Sequence, residues 1–146
     1  MNYKEFLESK IELATESGFI VDPADINPAL KPHQRDAVRW ALKGGRRALF
    51  ESFGLGKTIQ EIEFCYQAVK HCGGRALIVL PLGVKQEFTR DAVEILGYDQ
   101  PEYCRTMEEV EKCRSRIVLT NYERVRDGDI RPEYFAATSL DEASVL

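Results

Sequence analysis

Histidine occurs only twice in the 146-residue chain, and its four cysteines include no Cys-x-x-Cys pair. Cys65, Cys72, Cys104 and Cys113 are scattered, and His33 and His71 lack metal-ligand spacing to one another, so a zinc site is not expected. Free buried thiols in a reducing compartment are the expected state. Long apolar runs are missing too. Stretches such as Ala76-Leu77-Ile78-Val79-Leu80 are strand-sized, which leaves nothing able to span a bilayer. The first twenty residues carry Lys4, Glu5, Glu8, Lys10, Glu12 and Glu16, which does not fit a secretory leader, so a cytoplasmic location is expected. Neither an internal repeat nor a low-complexity tract occurs.

What remains is an ordinary globular composition, 44% hydrophobic and 30% charged. The length predicts one domain, large enough to bury about two-thirds of its unfolded surface. A net charge of −4 argues against a generic polyanion binder, but the charge is unevenly spread. Residues 1–30 carry 2 basic and 6 acidic side chains, residues 31–90 carry 11 and 5, and residues 91–146 carry 7 and 13. The middle third is therefore positive, and an anion site is expected there.

That third contains Glu51-Ser52-Phe53-Gly54-Leu55-Gly56-Lys57-Thr58, between a strand candidate, Arg47-Ala48-Leu49-Phe50, and an amphipathic helix. Glycines let the backbone turn its N–H groups onto an anion, and the first helical turn adds unpaired N–H groups and a positive dipole end. Lys57 adds a full charge, and Thr58 offers a hydroxyl to magnesium. The strict pattern has glycine where this chain has Glu51, so a surface turn reading Gly-Lys-Thr is the alternative. The helix context favours the loop: Ile62, Cys65, Tyr66, Val69 and Cys72 fall at helical spacing, and Gly73-Gly74 supplies a stop.

Elsewhere the pattern predicts a helix over 2–16 ended by Gly18, a proline-punctuated connector over 21–32, and a helix from about Pro32 to Lys43. Beyond the loop come a strand at Ala76–Leu80, a helix over about Val84–Leu96, a short helix near Met107–Cys113, and strands at Ile117–Leu119 and Thr138–Leu140. Strands alternating with helices imply an α/β protein with a parallel sheet covered on both faces. Ligands in such sheets bind beyond the carboxyl ends of the strands. That edge would collect Gly54 to Thr58, Lys85 and Gln86, Thr120 to Arg124, and Asp141-Glu142. An acidic pair 84 positions after Lys57 can give one carboxylate to magnesium and one to an attacking water. An acidic helix N-terminus is the bland alternative.

From about residue 28 to the end, the chain resembles the superfamily-2 helicases and translocases, among them the DEAD/DEAH-box and SWI/SNF-type motors of phage or mobile elements. Leu30-Lys31-Pro32-His33-Gln34 is similar to their adenine-reading glutamine motif, and Gly54-Leu55-Gly56-Lys57-Thr58 to motif I. Leu77 through Phe88 is similar to motif Ia, Ile117 through Glu123 to motif Ib, and Asp141-Glu142-Ala143-Ser144 to motif II. The resemblance implies a RecA-like P-loop NTPase lobe over 28–146, with residues 1–27 as an accessory helix and connector. ATP and Mg2+ are the implied ligands: Gln34 on the adenine, Gly54, Gly56 and Lys57 on the β- and γ-phosphates, Thr58 and Asp141 on magnesium, and Glu142 on the water. Lys85, Thr120, Asn121 and Arg124 are the implied contacts to a nucleic-acid backbone, DNA ahead of RNA.

Family motors continue into motif III and a second RecA-like lobe whose arginines complete the catalytic site, whereas this sequence ends four residues after Glu142. An incomplete first lobe, inactive by itself, is therefore expected. Two other readings stay open: another P-loop enzyme such as a small kinase, which leaves Gln34 unexplained, and a non-catalytic nucleotide-binding module.

Overall fold

The computed structural model describes residues 18–45 and 57–141, together with the backbone of 47–50. The helix expected over 2–16, the glycines of the phosphate loop and the acidic Glu142 lie outside the described residues. A short 3-10 turn at Pro23–Asp25 leads to helix α1, Pro32–Gly44. Pro32 suits a first turn, where no N–H is needed, and the Lys31 amide donates to Gln34 Oε1 at 2.7 Å. Gln34, Val38, Ala41 and Leu42 form the buried stripe at helical spacing. The helix stops at Gly45, whose φ of 151° only glycine adopts without strain.

The chain then alternates. Strand β1 is Arg47–Phe50, helix α2 Lys57–Cys72, β2 Ala76–Val79, α3 Lys85–Arg90, β3 Glu102–Tyr103, α4 Met107–Lys112, β4 Ile117–Thr120, α5 Tyr122–Arg126 and β5 Ala137–Asp141. All neighbours are parallel, in the order β1-β5-β2-β4-β3. The α/β class and the parallel sheet flanked by helices are as the sequence predicts. One departure is the helix expected over Val84–Leu96, which is α3 followed by a π-helical turn at Asp91–Ile95. Others are β3 and α5, which the periodicity does not reveal.

Strands β2, β4 and β5 are buried at every position, as expected of a sheet covered on both faces. Side-chain alternation divides the core in two. Ala76, Ile78, Ile117, Leu119 and Ala137 meet Val38 and Leu42 of α1, Ile62 and Cys65 of α2, and Phe88 of α3. Leu77, Val79, Val118 and Leu140 face Val110 of α4, Val125 of α5, Ile130 and Phe135.

The connector before α1 is tied down by one buried carboxylate. Glu63, on α2, accepts from the Asn27 amide at 2.9 Å, from Gln67 Nε2 at 2.8 Å and from the Tyr98 hydroxyl. Asn27 Nδ2 reaches on to the Leu96 carbonyl at 2.9 Å, and Tyr98 stacks on Tyr66 with ring centroids 3.8 Å apart. Burial, then the bond to Glu63, pushes the Tyr98 phenol above its ordinary value. Glu63→Ala strands three donors, two of them side chains of the interior. It is expected to cost about 2–4 kcal/mol, read as a lower urea midpoint with an unchanged slope. An unmoved midpoint would mean that water replaces the carboxylate at no cost.

Candidate functional site

Because every strand runs the same way, the ends of β1, β2, β4 and β5 share one edge of the sheet. The register pairs Phe50 with Asp141, so the last residue of β5 lies beside the end of β1, and Lys57 opens α2 seven positions further on. Lys57 Nζ donates to Asp141 Oδ1 at 2.6 Å, with side chains only 14% and 4% exposed. Two residues named from sequence, 84 positions apart, are thus brought into direct contact.

Beneath this pair lies a residue that motif reading misses. Glu61, one turn along α2 from Lys57, is fully buried and accepts from Ser139 Oγ at 2.9 Å. Its other oxygen, Oε2, has no hydrogen-bond partner among the described residues. Burial raises its pKa well above the ordinary value, and the charge of Asp141 adds to this. Lys57 and the Ser139 bond act in the opposite sense without prevailing. Glu61 therefore keeps its proton to higher pH than an exposed glutamate does. One turn further in, burial and then Glu61 push the Cys65 thiol up. The stripe Lys57, Glu61, Cys65 thus passes from a partly open mouth to a fully buried interior. The available signal was the i, i+4 spacing of an acid from the loop lysine inside an otherwise apolar stripe.

The other nucleotide candidates are spread around this centre. Thr58 Oγ1 stands 3.4 Å from Glu87 Oε1, a long hydrogen bond to the segment after β2. Gln34 is 5% exposed and its Oε1 already accepts from the Lys31 amide, leaving the amide NH2 group as its donor. Among the described residues, no group of three His, Cys, Asp or Glu side chains could hold a metal ion. No helix among them is long and apolar enough to cross a membrane.

Three of the four candidate nucleic-acid residues converge on Tyr103, which sequence reading overlooked because β3 is only two residues long. Its hydroxyl donates to Asn121 Oδ1 at 2.6 Å, and Lys85 Nζ lies 5.0 Å from its ring centroid. Arg124 donates to Asp129 Oδ2 at 3.2 Å, and that bond, helped by Tyr103, raises the guanidinium pKa further. Thr120 does not join them. It is fully buried and its hydroxyl donates to the Cys104 carbonyl at 2.9 Å, so its side chain serves the junction of β3 and β4 rather than the surface. Below it, burial and then Cys113 push the Cys104 thiol up to about 12.

No protein-family model matches the chain.

The raised pKa of Glu61 has a signature in the pH dependence of stability. A raised folded pKa contributes stability that is complete below the unfolded value near 4.5 and is lost as pH rises toward the folded value. Wild-type stability should therefore decline relative to Glu61→Gln as pH climbs from 4.5 to neutrality, by up to about 1.4 kcal/mol per pH unit. Urea midpoints of both proteins across that range test this, and parallel curves would show Glu61 to be ionised when folded.

Proposed function

We propose that this chain is the ATP-binding, RecA-like first lobe of a nucleic-acid helicase or translocase. The observation that carries the reading is the contact of Lys57, at the first position of a helix after a glycine-bearing loop, with Asp141 at the end of a parallel strand. A buried ion pair adds little net stability, because desolvation offsets the attraction. A lysine and an aspartate poised at the carboxyl edge of a parallel sheet suit exchange of partners instead. An arriving triphosphate takes the Lys57 ammonium, and the Asp141 carboxylate is released toward a cation.

The donor set fits magnesium, which takes one or two protein oxygens and completes its shell with phosphate and water. Asp141 and the Thr58 hydroxyl would be those oxygens, and the ion would supply charge neutralisation between the phosphates. Gln34 would read the adenine through its NH2 group, its oxygen being oriented by Lys31. Glu142, outside the described residues, would orient the water. The Tyr103 group, with Lys85, Asn121 and Arg124, would meet a strand through its phosphates, without sequence preference.

Lys57→Ala should weaken triphosphate binding by about 10- to 150-fold, the loss of one charge-assisted hydrogen bond. It should be measured by calorimetric titration with magnesium nucleotide. Asp141→Asn alone is the reference chain, because it avoids a stranded buried carboxylate and removes the same magnesium ligand from both members of the pair, and an unchanged dissociation constant on adding Lys57→Ala to it would reduce the loop to a turn.

Turnover supplies a second test. Charge on the transferring phosphoryl group needs an arginine, worth on the order of 10³–10⁵ in rate, which the resemblance assigns to a second lobe. Residues 1–146 alone should hydrolyse ATP hardly above background, with or without DNA. A chain extended through a second lobe should be DNA-stimulated and lose that response on Glu142→Gln. Robust DNA-stimulated hydrolysis by residues 1–146 would overturn the two-lobe reading. Phosphate transfer to a small-molecule acceptor would favour a kinase.

A further inference from the structure

Asparagine at a helix N-cap ordinarily turns its side-chain oxygen onto the first unpaired amides of that helix. Asn121 is the N-cap of α5 and makes no such bond. Its Oδ1 accepts instead from the Tyr103 hydroxyl at 2.6 Å, and its Nδ2 donates to Glu123 Oε2 at 2.5 Å. The phenol has two further neighbours. Its hydroxyl is a second partner of the Arg124 guanidinium, after Asp129 Oδ2 at 3.2 Å, and Lys85 Nζ lies 5.0 Å from its ring centroid. One side chain thus joins the first residue of α3, beyond β2, to the turn beyond β4.

Tyr103 is itself held fast, although β3 is the outermost strand and only two residues long. It pairs with Leu119, and the residue after it is fastened in both directions. The Cys104 amide donates to the Leu119 carbonyl, and the Cys104 carbonyl accepts from the Thr120 hydroxyl, each at 2.9 Å. On the other side Glu102 Oε1 accepts from the Arg114 and Ser115 amides at 3.1 and 3.2 Å. A ring on a backbone fixed this way narrows the rotamers of the long side chains lying against it, so ordering them costs less when a ligand arrives. Donors remain for one. An ammonium has three N–H groups, a guanidinium five and an amide two, and the described partners take only some of them. Glu123 and Asp129 balance the two cations, so the cluster has no net charge to draw a polyanion from afar. Its hold on one is short-ranged and depends on how the donors are aimed.

We propose that Tyr103 is a positioning residue for nucleic acid: without touching the strand, it presets Lys85, Asn121 and Arg124 so that the two loops bind phosphates as one unit. The role rests on the nucleic-acid reading given above and adds what organises the contact. It also accounts for the missing cap, since the Asn121 oxygen cannot serve both α5 and the phenol.

The probe is a fluorescein-labelled single-stranded oligothymidylate, titrated with residues 1–146 by anisotropy over a range of salt concentrations. Tyr103→Phe keeps the ring beside Lys85 and removes the hydroxyl. It should weaken binding several-fold and flatten the slope of log K against log salt by about 0.7, the counterion release of one phosphate contact. Tyr103→Leu also frees Lys85 and should flatten it by about 1.4. Lys85→Ala should cost less affinity in the Tyr103→Leu chain than in the wild type, a non-additivity that separate contacts do not show. If the leucine variant fails to fold, the near-isosteric phenylalanine variant decides, its folding checked by the urea midpoint. Unchanged affinity and slope in both variants overturn the inference and leave the reading intact. So does a loss of affinity at constant slope, the mark of a merely structural role, or a loss confined to Tyr103→Leu, which would make the ring a stacking platform for a base. A wild-type chain that binds no oligonucleotide even at the lowest salt overturns the nucleic-acid reading, and this role with it.

Discussion

Parallel pairing of β5 with β1 on one side and β2 on the other is the constraint from which the rest of the site follows. It sets Leu140 between Leu49 and Val79, and so fixes which residue of β5 reaches the carboxyl edge and which way it points. Side chains alternate along a strand, so Ser139 and Asp141 share a face. A slip of one residue would turn both away from α2, parting Asp141 from Lys57 and Ser139 from Glu61. Leu140 and Thr138 face the other core, and Thr138 does so with a hydroxyl that finds no partner among the described residues.

The order of charges along α2 follows from the same pairing. A lysine at the mouth finds its counter-charge at the edge, where water still reaches. An acid four residues deeper accepts from a single hydroxyl, and burial, helped by the charge of Asp141, outweighs Lys57 and favours keeping the proton. Glu63, two residues on, faces the other side of the helix and is surrounded by donors, so burial is compensated by hydrogen bonds. Two equally buried glutamates on one helix thus meet different surroundings, one bonded by three donors and the other by a single hydroxyl.

Most of the architecture was legible in the residues, because apolar runs such as Ala76 to Leu80 and the helical spacing after Thr58 are strong local signals. The strand order expected from the sequence put Lys57 and Asp141 on one edge of the sheet, but their direct contact is visible only in the structure. What escaped depends on tertiary context. Strand β3 has two residues, too few for any period, and so Tyr103 went unnoticed although it gathers Lys85, Asn121 and Arg124. The π-helical turn at Asp91–Ile95 leaves no mark in a pattern built on ordinary helical spacing. Thr120 looked like a surface residue in a polar run, yet it is the last residue of β4 and its hydroxyl ties that strand to the residue after β3. Glu61 and Glu63 looked like ordinary helix acids, since nothing local to the sequence tells which face of a helix another layer will cover.

Helix α2 is also a mechanical part. Its first residue grips Asp141, and within the next three turns Glu63 and Gln67 clamp the connector at Asn27 and Asp25 and, through Tyr98, the segment after the π-helical turn. Bonds this close along a single stiff helix do not stretch independently. A tug on Lys57 along the helix axis would be delivered to the backbone leading into α1, and a load on that backbone would return to the ammonium by the same route. The helix serves as a connecting rod between the edge of the sheet and the outer layer that holds α1.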